Sequence, residues 1–122
     1  MISNPDLDSN FDYSVVVELR KAALETPLDP AAGIIPDQDL TTRDFEYGGY
    51  PIRVKMTLDK LADRWAWRIS VSHSSVTTRL PDMLIESIVD KFLPGERMEM
   101  PSMLHPGTVK QFIQLCDKKP KI

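Results

Sequence analysis

Residues 50–73 contain two runs of alternating apolar and polar residues, separated by a short charged connector. Successive side chains of a β-strand point to opposite faces of a sheet, so each run collects its apolar residues on one face. The pattern therefore predicts a β-hairpin with one buried face and one wet face. The buried face would carry Ile52, Val54, Met56, Trp65, Trp67, Ile69 and Val71, and the wet face Arg53, Lys55, Arg64 and Arg68.

Two other segments have helical periodicity. Apolar residues recur at helical spacing after Phe11, which predicts a helix over about 10–25. Pro81 suits a first helical turn, and the single apolar stripe that follows it predicts a second helix over about 81–93.

Shorter alternating runs predict further strands. Phe45 and Tyr47 alternate with acids before the Gly48-Gly49 pair, which is typical of a tight hairpin turn. Residues 97–100 also alternate. Residues 109–116 fit either a helix or a strand, and we narrowly prefer a strand because their apolar residues suit a pleated surface.

These elements together predict an α+β fold. We expect a three- to four-stranded antiparallel sheet, the helix at 81–93 packed on the tryptophan face, and the N-terminal helix beside it or along the sheet edge. A chain of 122 residues fits a single domain. Within it, the composition predicts a flexible arm, a linker rich in proline and aspartate, and a basic tail, at residues 1–9, 26–44 and 117–122.

Composition also limits the cellular setting. The single cysteine excludes an intrachain disulfide and favours a reducing compartment. No apolar run approaches the ~20 residues of a membrane helix. The first ten residues lack the basic start and apolar core of a secretory signal. We therefore predict a cytoplasmic protein with no membrane partner.

Charge is distributed unevenly along the chain. There are three basic and ten acidic residues up to residue 50, and twelve basic and eight acidic residues after it. The simplest interpretation is that the acidic half folds back on the basic half; otherwise one half meets a charged partner. The candidate binding residues are the cations Arg53, Lys55, Arg64 and Arg68 and the acids Asp37, Asp39, Asp44 and Glu46. A charged outer sheet face is also what a purely structural sheet would have.

No residue pattern predicts catalysis. His73 and His105 are the only histidines, and neither has neighbours at metal-ligand spacing. Serines flank His73, but the sequence specifies no orienting acid or oxyanion pocket. The linker aspartates lack the spacing of a calcium loop. Apolar neighbours make Cys116 an inert thiol. We predict no catalytic residue, no metal and no cofactor.

Several strings resemble a known family. The string DFEYGGYPIRV at residues 44–54, then RWAWRISVS at 64–72, a Leu-Pro-opened helix and a terminal apolar strand resemble a small domain of unknown function found in bacteriophages and prophages. The resemblance covers about residues 43–116. It implies a small β-rich domain with one helix, and it brings no catalytic or binding residues with it.

We therefore predict a non-enzymatic protein-interaction module. It would be an accessory protein of a phage or mobile element that binds a host protein and inhibits or modulates it. The alternative is a nucleic-acid-binding module that uses the basic sheet face. The acidic balance of the chain disfavours that alternative. A homodimer is a further arrangement that the sequence leaves open.

Overall fold

The computed structural model describes residues 11–25, 40–75, 77–101 and 107–120. The predicted arm, residues 26–39 of the predicted linker, His105 and the last two residues lie outside these ranges. The described helices are α1 (Ser14–Glu25) and α2 (Asp82–Phe92), and the described strands are β1 (Thr42–Tyr47), β2 (Tyr50–Leu61), β3 (Arg64–His73), β4 (Met98–Met100) and β5 (Val109–Cys116).

The five described strands form one antiparallel sheet in the order β1-β2-β3-β5-β4. The α+β class and the antiparallel sheet are as predicted, and residues 109–116 are a strand. The predicted number of three to four strands is too low. Both short outer strands, β1 and β4, pair along their whole lengths with a longer neighbour, and this pairing completes the sheet.

Tight turns join the first three strands into a meander. Gly48 and Gly49 have φ angles of 62° and 83°, which a glycine pair adopts without strain, and they connect β1 to β2. Ala62 and Asp63 connect β2 to β3. The predicted hairpin over residues 50–73 is therefore confirmed.

Both helices cover the same face of the sheet. Leu19 of α1 and Phe92 of α2 belong to one buried cluster with Val54, Met56 and Ile69 of the central strands. α1 packs on β2 and β1, and α2 packs on β3. The N-terminal helix thus lies beside α2 rather than along the edge alone.

Both tryptophans lie on this helix-covered face, as the alternation predicts. Trp67 is 2% exposed and lies in the core, whereas Trp65 is half-buried and packs against the core from the end of the sheet. The difference follows from position, because Trp65 is the second residue of its strand and lies close to the turn.

Two element boundaries differ from the sequence predictions. α1 begins at Ser14 rather than near residue 10, because the Asp12 carboxylate accepts a hydrogen bond from the Ser14 backbone N–H at 3.0 Å and starts the helix there. β1 begins at Thr42, so the last three residues of the predicted linker belong to the sheet.

Candidate interaction surface

The sheet face that points away from both helices carries the residues that alternate with the core residues. We call it the open face, because no helix of the described chain lies on it. Cross-strand partners share a face, so the registers bring together Asp44, Glu46, Arg53, Lys55, Asp59, Arg64, Arg68, Met98, Met100, Ile113 and Leu115.

All four predicted cations lie on the open face, and Arg53 and Arg68 are paired with acids of the same face. Arg53 donates two hydrogen bonds to the Asp44 carboxylate, at 2.9 and 3.0 Å. Arg68 Nη2 lies 2.9 Å from Asp59 Oδ2. Two further atoms of this pair, Arg68 Nε and Asp59 Oδ1, are buried. Neither has a hydrogen-bond partner among the described residues.

In the part of the chain that the structure describes, the predicted acidic and basic residues share one surface. Asp44 and Glu46 lie on the open face beside the cations, while Asp37 and Asp39 lie outside the described residues. The hydrogen bonds from Arg53 hold the pKa of Asp44 below its ordinary value, and the same contact raises the pKa of Arg53. Along β1 and β2 the face is close to charge balance.

Arg64 and Lys55 are the exposed members of the predicted cationic row. Arg64 starts β3, next to the turn, and has no salt-bridge partner in the described part of the chain. Its guanidinium group is the cation of this face that is most available to a partner.

The other end of the open face is apolar, which the sequence analysis missed. Met98 is 57% exposed and Leu115 is 42% exposed. Ile113, the cross-strand partner of Met98, is only 6% exposed, and Met100 is half-buried. These four residues are called the apolar strip. The sequence signal for the apolar strip is the alternation in residues 109–116. It places Ile113 and Leu115 on one face only if this segment is a strand.

The apolar strip borders the charged residues directly. Ile113 is the cross-strand partner of Arg68 on β3, so a cation lies immediately beside the strip. The open face thus has an apolar end on β4 and β5 and a charged, mostly ion-paired end on β1 to β3.

The residues considered for catalysis or metal binding make local contacts. The His73 Nδ1 atom accepts a hydrogen bond from the Ser75 backbone N–H at 3.0 Å. Burial is the main cause that raises the pKa of the Cys116 thiol, so this group stays protonated at neutral pH. In the described ranges, no three His, Cys, Asp or Glu residues are grouped so that they could hold a metal ion. No described helix is both long enough and apolar enough to cross a bilayer.

A cleft of about 360 Å³ lies on the other side of the sheet, between α2 and the β4–β5 pair. Arg97 lines it and bridges two acids of α2, with Nη2 2.9 Å from Glu86 Oε2 and 2.6 Å from Asp90 Oδ1. Because Arg97 is already bound to these acids and to the Leu93 carbonyl oxygen, its role is to hold the chain after α2 against the helix.

Comparison of the chain with protein-family models, curated proteins and solved structures finds no match.

Proposed function

We propose that this protein is a non-enzymatic protein-interaction module that docks a partner on the open face. The observation that carries this proposal is the exposure of Met98 and Leu115 in one apolar strip, on a sheet face that no described helix covers. Contiguous apolar surface on a folded protein is typical of an interaction site, because its burial against a partner removes it from water.

The charges around the strip support the same function. Protein interfaces commonly combine an apolar centre with a polar rim. Arg64 and the Arg68–Asp59 pair lie beside the strip and would supply part of that rim. Exposed charges of this kind add little affinity, but they steer association and fix the orientation of the partner.

The biological setting is also a proposal. We infer that the partner is a host protein, and that this chain is a cytoplasmic accessory protein of a phage or mobile element that inhibits or modulates it. The resemblance of residues 43–116 to a phage and prophage domain supports this setting. A nucleic-acid interface on the open face is less favoured, because Arg53 and Arg68 are already paired with carboxylates.

A matched pair of substitutions tests the docking surface. Met98→Glu places a charge in the apolar strip, whereas Met83→Glu places the same charge at an 86% exposed position of α2. Both variants should keep the wild-type circular dichroism and melting temperature, because both side chains are mainly solvent-exposed.

The readout is capture of a stoichiometric protein from host lysate after nuclease treatment. We expect Met98→Glu to abolish the capture and Met83→Glu to leave it at the wild-type level. Equal capture by the two variants would reject the apolar strip as the docking site. Loss of the captured protein on nuclease treatment would reject a direct protein partner.

A further inference from the structure

A second charged cluster lies on the helix-covered side, at the end of the sheet near the β2–β3 turn. The Lys60 ammonium nitrogen lies 4.9 Å from the centroid of the Trp65 ring, and that of Lys119 lies 5.3 Å from it. Lys60 is the cross-strand partner of Trp65 on β2, whereas Lys119 follows the end of β5. β2 and the segment after β5, on either side of β3, thus bring one lysine each to the same indole. We call this group the lysine–tryptophan cluster.

Many of the described cations are paired with a described acid, whereas the two lysines of the cluster are not. Arg43, Arg53, Arg68, Arg79, Arg97 and Lys110 each have a carboxylate within salt-bridge distance. Among the described residues, neither Lys60 nor Lys119 has one. Within the described chain, each ammonium group contacts the Trp65 ring, and a cation–π contact is weak at exposed sites. Two like charges thus lie over one aromatic ring, which makes the cluster a candidate anion site.

The base of the cluster is rigid. Trp65 is anchored between β2 and β5, with Lys60 and Cys116 as its cross-strand partners. Beside it, the Arg20 guanidinium lies 4.8 Å from the Trp67 ring centroid and donates a hydrogen bond to the Phe92 carbonyl oxygen at 2.9 Å. The sheet therefore positions the backbone of Trp65, and its side chain packs against the core, whereas both lysines are exposed.

We propose that the lysine–tryptophan cluster binds single-stranded nucleic acid, with a base against the Trp65 ring and the flanking phosphates on Lys60 and Lys119. A fixed aromatic ring between cations is what unpaired bases and their backbone require. Acidic side chains of a peptide would satisfy the two ammonium groups but would place no aromatic ring against the indole. Single-stranded nucleic acid is therefore the ligand that contacts every part of the cluster.

Fluorescence anisotropy with a short labelled oligothymidine at low salt tests this proposal. The double variant Lys60→Gln/Lys119→Gln should bind about tenfold more weakly. It should also reduce the slope of log affinity against log salt by about 1.4, since each phosphate contact to a single strand contributes about 0.7. Trp65→Leu should weaken binding about tenfold with little change in slope, because stacking releases no counter-ions. The control Lys21→Gln/Arg79→Gln removes two positive charges elsewhere and should retain wild-type binding.

Three outcomes would overturn the proposal. The first is unchanged affinity and salt slope in the lysine double variant. The second is competition by polyglutamate as strong as that by unlabelled oligothymidine, which would make the site a general polyanion or acidic-peptide site. The third is an affinity for a mononucleotide equal to that for the oligonucleotide, which would identify a free nucleotide as the ligand. Both lysine side chains lie at the surface, so their variants should fold, and melting curves check this.

Discussion

Ala62 has a φ of 51° in the turn between β2 and β3, a backbone conformation that favours glycine. The Cβ atom of an L-residue destabilises this conformation by about 1–2 kcal/mol. Glycine avoids this strain, but its greater conformational entropy in the unfolded chain offsets part of the gain in stability. The turn is therefore held by the pairing of the long strands on either side of it, and not by its own sequence.

Ala62→Gly should raise the free energy of unfolding by about 0.5–1 kcal/mol, measured by urea denaturation. Ala66→Gly is the control, because Ala66 is fully buried inside β3, where glycine only adds flexibility and removes packing. It should destabilise the protein. A loss of stability in Ala62→Gly would show that the turn is not strained.

The Asp44–Arg53 pair predicts a small pH dependence. Because the pKa of Asp44 is lowered in the folded state, its contribution is fully present above the unfolded value of about 3.9. It is lost as the pH falls through the lower folded value. Both side chains are about half exposed, so solvent screening limits the contribution to about 0.5 kcal/mol or less.

The measurement is the difference in unfolding free energy between the wild type and Asp44→Asn as a function of pH. The difference should be constant from neutral pH down to about pH 5 and should shrink below about pH 4. A difference that grows as the pH falls would contradict the lowered pKa. In an Arg53→Gln background, which lacks the two hydrogen bonds to Asp44, the same difference should depend less on pH.

At the scale of elements, Arg20 joins the two helices. It lies on α1 and donates a hydrogen bond to the carbonyl oxygen of Phe92, at the end of α2, while its guanidinium lies over the Trp67 ring. Carbonyl groups in the last turn of a helix have no partner within the helix. A cation is favoured at this end because of the helix dipole.

Arg20→Gln should therefore lower the free energy of unfolding by about 1.5–3 kcal/mol, since a charged hydrogen bond in a half-buried position is lost. Lys21→Gln is the matched control at an exposed position of the same helix, and its effect should stay within about 0.5 kcal/mol. Equal effects in the two variants, measured by thermal or urea unfolding, would contradict the joining role of Arg20.

The sequence predicted the elements whose patterns are long and regular. Strands β2 and β3 show strict alternation over residues 50–73, and one register satisfies both apolar faces. The pairing of Asp44 with Arg53 was also predictable, because a two-residue turn at Gly48-Gly49 places these residues opposite each other. It was missed because residues up to 44 were assigned to a linker.

Other features depend on contacts that sequence spacing does not reveal. The order β3-β5-β4 inserts the last strand between two earlier ones, and only long-range packing decides this. The apolar strip exists only because β4 pairs with β5 in that order. The lysine–tryptophan cluster likewise requires β2 and the end of β5 to flank the same residue of β3, although Lys60 alone follows from the hairpin register.

At the scale of the whole molecule, the described fold has two layers. Both helices cover one face of the sheet, and the opposite face combines an apolar strip with ion-paired charges. Antiparallel sheets commonly leave one face to solvent, and that face is then usually polar. The exposed Met98 and Leu115 depart from this rule, and this departure is the basis of the proposed docking function.

The most direct test follows the methyl signals of three methionines by NMR with a soluble paramagnetic agent, before and after addition of the captured partner. Met98 lies on the open face, Met83 is exposed on α2, and Met56 is fully buried. We predict that the agent attenuates Met98 and Met83 in the free protein, and that the partner protects Met98 alone. A Met98 signal that is protected like Met56 before the partner is added, or equally attenuated after it, would contradict the account.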